Sequence, residues 1–120
     1  MVYSKTEKAQ MDKIISVFDE YIKNSSSIDL LYSEKVGYVL IGIVRQQHVV
    51  VESESIHTAT DLCSILFNEV YLDYCVELLG SNKNPDNMTD EELAELHKRF
   101  ERFIVQLPEY AKIAKKQLPH

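Results

Sequence analysis

Three carboxylates, Glu69, Asp73 and Glu77, recur at four-residue intervals inside a strongly apolar stretch. On a helix that spacing stacks them along one side. His57 and Asp61 stand just upstream. Carboxylates at i and i+4 beside an imidazole can hold a divalent cation or share a proton. His57, Asp61, Glu69 and Asp73 are therefore the residues expected to serve a metal- or small-ligand-binding site, if the chain has one. The same spacing also describes a solvated acidic stripe paired with neighbouring Lys and Arg, which needs no ligand. Burial separates the two readings, because carboxylates desolvated together demand a cation.

A second acidic group is denser. Asp86, Asp90, Glu91, Glu92 and Glu95 fall within ten residues that contain no base. Acids at the start of a helix meet its dipole favourably, so helix stability alone accounts for them. Their functional use would be to mimic a polyanion or to dock a basic protein.

Other chemistry lacks its residues. There is no GxGxxG, no GxxxxGK[ST], no HExxH, no GxSxG and no CxxC. No catalytic residue, metal centre or cofactor is therefore expected. Cys63 and Cys75 lie twelve residues apart on one expected helix. That is about 18 Å along the axis, too far for a disulfide. Reduced thiols and an N-terminus without an apolar signal core lead to the expectation of a cytoplasmic protein. The formal net charge of −6 opposes binding to nucleic acid or anionic membrane and admits a basic partner.

The elements that must position these residues follow from periodicity. The stretch 58–80 reads as the long central helix, with Thr58 and Asp61 as a capping box and Gly80 as its stop. Cys63, Phe67, Val70, Tyr71, Tyr74 and Leu78 form a charge-free stripe. The opposite side mixes Leu62, Ile65, Leu66, Leu72, Val76 and Leu79 with Glu69, Asp73 and Glu77. Acidic groups in mid-helix argue against a membrane span. The mixed side points to burial within the chain or against a second copy.

Upstream, Ser4 and Glu7 form another capping box, opening a helix to about Asn24 with Met11, Ile14, Ile15, Phe18, Tyr21 and Ile22 on one face. Residues 28–56 are rich in Val and Ile and read as three strands, about 28–33, 36–44 and 49–55. A buried helix over part of 28–44 is the alternative. Gly42 suggests a bulge or a close backbone approach, and Glu52 and Glu54 imply a half-exposed third strand. Downstream, Thr89 and Glu92 make a third capping box. Leu93, Leu96, Phe100, Phe103 and Leu107 form a seam on a helix to about Leu107, and a short helix follows Pro108 to about Gln117.

The expected fold is α+β in one domain over residues 1–120. A three-stranded antiparallel meander packs against the long central helix, in the order α-β-β-β-α-α-α. The second sheet face keeps apolar residues of the middle strand, which again suggests a homodimer or a protein partner. The function expected is that of a small acidic interaction or regulatory module without catalytic activity, of the inhibitor or immunity type that occludes a basic site.

Overall fold

A computed structural model describes residues 2–119. The helices are α1 (Lys5–Asn24), α2 (Ala59–Gly80), α3 (Asp90–Ile104) and α4 (Ala111–Lys115). The strands are β1 (Ile28–Ser33), β2 (Gly37–Val44) and β3 (Val49–Ser55). The fold is mixed α+β with the expected element order, and residues 28–44 form two strands. Two compact units divide the chain, Met1–Leu62 and Cys63–His120.

In the first unit, Ser4 Oγ accepts the Glu7 N–H at 3.1 Å and starts α1. The return half of the expected capping box is not made. Glu7 Oε1 instead accepts the N–H of Ala59, the first residue of α2. That donor has no partner inside its own helix, and a carboxylate suits the positive end of the dipole. Met11, Ile14, Phe18 and Ile22 are the buried face of α1.

The sheet order is β1-β2-β3, antiparallel throughout. Residues opposite one another share a face. One face carries Ile28, Leu30 and Tyr32 of β1 beside Gly42, Leu40 and Tyr38 of β2. Tyr38 on this face meets Lys8 and Asp12 of α1. The other face carries Val39, Ile41 and Ile43, half-buried, with Leu31 exposed beside Val39 and Val50 exposed beside Ile43.

The register confirms the irregularity expected at Gly42. Ile43 pairs with Val50 and Gly42 with Glu52, so Val51 is an extra residue on β3. The bulge sits on the partner strand, and Gly42 makes room for it. A Cβ at Gly42 would lie 2.7 Å from Glu52 Cγ. The expectation of a half-exposed third strand is corrected, since all seven residues of β3 are exposed. The reason is position. β1, the other edge strand, packs against α1 and buries Ile28, whereas β3 is paired with β2 on one side and the bulge disturbs even that pairing.

In the second unit, Phe67 of α2 stands 5.1 Å from Phe100 and 6.2 Å from Phe103 of α3, ring centre to ring centre. Cys63, Phe67, Val70, Tyr74 and Leu78 are buried as the stripe requires, and Tyr71 is half-buried. The mixed side of α2 divides along its length: Leu62 and Leu66 are fully buried, whereas Leu72, Val76 and Leu79 are exposed. Thr89 and Glu92 form both halves of the capping box on α3. α3 ends at Ile104, earlier than the seam suggests, because Pro108 drives Leu107 out of the helical region (φ −132°, ψ 57°). Gln117 Nε2 donates to Ser64 Oγ at 2.9 Å and ties the C-terminal segment to α2.

α2 stops differently from the expectation. Gly80 is its last helical residue, and the left-handed position is Asn82 (φ 61°). Lys83 N–H donates to Leu78 O and Asn82 N–H to Leu79 O, which is a Schellman motif with Asn at C′. Gly80 thus serves no backbone purpose, and a Cβ there meets nothing within 4 Å. Gly80→Ala is expected to stabilise the protein by about 0.5–1 kcal/mol by restricting the unfolded chain. A rise in the thermal midpoint of a few degrees checks it.

Candidate functional site

The acidic end of α3 is built by two caps in series. Pro85–Asn87 forms a 3₁₀ turn whose Asn84 Oδ1 accepts the Asp86 N–H at 2.9 Å, and Thr89 then caps α3. Between them lies a shallow recess of about 360 Å³ lined by Lys83, Asn84, Asn87, Thr89, Glu91 and Glu92. Two of the five acids are committed to structure. Glu92 Oε1 accepts the Thr89 N–H, and its Oε2 lies 3.5 Å from Lys83 Nζ. The Thr89 backbone bond is the main reason its carboxyl lies below the ordinary carboxylate value. Glu95 bonds Arg99, which also pairs with Glu77 and lies over the Tyr74 ring. Asp86, Asp90 and Glu91 stand exposed.

The residues expected along the central helix fall in the two units. His57 and Asp61 are exposed in the first unit, where the Asp61 N–H is taken by Thr58 Oγ1 at 3.0 Å. Glu69 and Asp73 belong to the second unit, half-buried, each already engaged with a partner. Among the described residues, no three His, Cys, Asp or Glu side chains gather to hold a metal ion. Cys63 is buried, and burial together with Glu109 pushes its thiol up to about 12. Such a thiol is protonated at neutral pH and is not a nucleophile. No helix among the described residues is long and apolar enough to cross a membrane.

Periodicity gave no sign of a third constellation. Lys8 Nζ lies 2.8 and 3.0 Å from the two carboxylate oxygens of Asp12. It also lies 4.9 Å from the ring centre of Tyr32 and 5.2 Å from that of Tyr38. Tyr38 Oη donates to Asp12 Oδ1 at 2.6 Å. Tyr3 stacks on Tyr38, takes its backbone N–H on the hydroxyl oxygen and donates to the Ile56 carbonyl. The i, i+4 spacing of Lys8 and Asp12 was legible, but the tyrosines join them only through the sheet register. Hydrogen bonding to Asp12 raises Lys8 above the ordinary lysine value, so the amine stays charged and the cluster fastens α1 to the sheet.

This cluster has a pH signature. The Lys8 bond, then the Tyr38 bond, lowers the Asp12 carboxyl below its ordinary 3.8. A group depressed on folding stabilises above its unfolded pKa and loses that contribution as pH falls through the folded value. The Lys8 and Asp12 side chains are 30% and 49% exposed, so screening keeps the effect small. Asp12→Asn is expected to lower the melting temperature at neutral pH. Melts taken down to about pH 3 should show the difference shrinking below about pH 4.

The remaining surface feature is apolar. Val49, Val50 and Val51 are all exposed on β3, the latter two at 58% and 61%, with Leu31, Tyr32 and Val36 exposed elsewhere in the hairpins. Glu52 and Glu54 follow the valines directly, both exposed. No family model matches the chain, and no curated protein or solved structure matches it either.

Proposed function

We propose that this chain is a protein-interaction module that acts by binding, without catalysis of its own, and that its partner is a basic protein whose site it occludes. The observation that carries this reading is the run Val49–Val51, exposed beside Glu52 and Glu54 on a sheet edge. Exposed valines are costly to leave in water; Val50, opposite Ile43, projects on one face and Val49, opposite Val44, on the other, so both sides of this edge carry apolar surface for a partner to cover. The adjoining carboxylates and the net charge of −6 select a cationic partner. Asp86 in the preceding 3₁₀ turn, with Asp90 and Glu91 at the start of α3, would add to the protein's long-range attraction for a cation. Two free cysteines fit a reducing, cytoplasmic setting.

Self-association through Leu72, Val76 and Leu79 of α2 is the competing use of exposed apolar surface. Light scattering from low to high micromolar concentration measures it. Titration of the labelled protein with lysine-rich peptides, one extended and one helical, measures the proposed binding. A monomer that binds a cationic peptide saturably, and more weakly as salt rises, is the expected result. A stable dimer that binds neither peptide would overturn the reading, as would a monomer that binds neither.

A further inference from the structure

The backbone directions within the sheet determine what the β3 edge can accept. Ile43 N–H donates to the Ser27 carbonyl, on the β1 side of β2. Tyr38 O accepts the Ile56 N–H, on the β3 side. In an antiparallel ladder these directions alternate with every residue. Leu40 and Gly42 therefore turn their backbone toward β3, and Val39, Ile41 and Ile43 turn theirs toward β1. Glu54 and Glu52, opposite Leu40 and Gly42, bond inward. Ser53 and Ser55, opposite Ile41 and Val39, direct their N–H and C=O groups outward. The outer edge of β3 thus offers free backbone pairing groups at Ser53 and Ser55.

The side chains sort with the same parity. Glu52 and Glu54 project on the face of Leu40 and Tyr38. Ser53 and Ser55 project on the face of Val39 and Ile41, which continues to Ile43 with Val50. We propose that β3 takes up an extended peptide strand of a partner protein, with basic residues at alternate positions beside Glu52 and Glu54 and apolar residues between them. Main-chain bonds to Ser53 and Ser55 supply register, and the side-chain alternation supplies selectivity. The inference rests on the interaction reading above and specifies its geometry.

Charge decides against a second copy as the occupant. Two β3 edges paired antiparallel about Ser53 would set Glu52 of each copy against Glu54 of the other on one face. Like charges directly opposite are destabilising. A strand carrying Lys-x-Lys turns the same positions into cross-strand ion pairs.

The test uses the full chain and two peptides of the same composition, one alternating lysine and valine and one arranged to form an amphipathic helix. The extended peptide is expected to bind the wild type, and Glu52→Gln with Glu54→Gln to weaken it about five- to tenfold. Ser53→Pro removes an outward N–H at a position an edge strand tolerates, and is expected to weaken binding by at least as much. Backbone N-methylation of the peptide along one edge repeats that test without altering the protein. Equal binding of both peptides, unaffected by Ser53→Pro and by N-methylation, overturns strand addition and leaves the basic-partner reading standing. Failure of both peptides overturns both. Failure of the extended peptide, with self-association of the double glutamine variant, identifies the glutamates as guards against self-pairing and also overturns the proposal.

Discussion

Gly37→Ala is expected to destabilise the protein by about 3–5 kcal/mol, a large share of the roughly 5–15 kcal/mol that holds a typical domain together. Two costs coincide at this residue. Its φ is +82°, a region where a side chain is strained by about 1–2 kcal/mol. An added Cβ would also meet Oη and Cζ of Tyr3 far inside van der Waals contact and lie 2.8 Å from Cε2. Tyr3 has no easy retreat. It is buried, its hydroxyl donates to Ile56 O at 2.5 Å, and it accepts the Tyr38 N–H at 2.8 Å. Moving the ring breaks both bonds, and a buried group left unpaired costs about 1–3 kcal/mol. Urea denaturation measures the change directly. Tyr3→Phe separates the parts, since it removes the hydrogen bonds and keeps the glycine. It should cost less than Gly37→Ala. A loss under about 1 kcal/mol for Gly37→Ala would contradict both the left-handed turn and the tyrosine lock.

The role of Gly37 could not be read from the sequence, whereas that of Gly42 could. Gly42 interrupts a run of β-branched residues, so its oddity is local and announces a bulge. Gly37 sits at the start of a strand, in a left-handed turn conformation, and owes the larger part of its constraint to Tyr3, thirty-four residues earlier. The same distinction governs the helix ends. The Thr89–Glu92 box closes on itself and is legible in four residues. Ser4 and Glu7 have the same spacing, yet Glu7 goes to Ala59, because a distant helix start offers its carboxylate a free donor. Gly80 was expected to terminate α2 by propensity. Asn82 does so instead, since asparagine also tolerates the left-handed conformation.

The strands were legible because Val and Ile cluster between polar turns, and their order followed from short connections. What periodicity could not assign was the exposure of β3. VVVESES reads as half-buried when one face of every strand is assumed to be covered, but every position of β3 meets water, unlike β1, the other edge, which buries Ile28. The acidic group at the start of α3 shows a similar limit. Spacing placed all five residues near one helix start, but it could not show that Glu92 and Glu95 are bound to Thr89, Lys83 and Arg99 while Asp86, Asp90 and Glu91 remain exposed. Candidate binding residues differ from structural ones here by their partners, and partners are a tertiary property.

Phe100→Ala should produce a loss of about 3–5 kcal/mol for a different reason, a cavity where a ring has been removed. Phe100 is fully buried and faces Phe67, which in turn meets Phe103 edge-on. Deleting one ring forfeits its transfer from water and the ring–ring contact. Its neighbours on α2 and α3 can collapse only partly, because closing the space would pull other fully buried side chains such as Leu66 and Leu96 out of their own packing. Phe100→Leu retains most of the volume and should cost clearly less. Val105→Ala, at an exposed position one turn beyond, should change stability by no more than about 0.5 kcal/mol. Hydrogen exchange adds the location of the effect: protection in α3 should fall in the alanine variant and stay near the wild type in Val105→Ala. If the three variants melted together, the aromatic contact between α2 and α3 would not be what holds this unit.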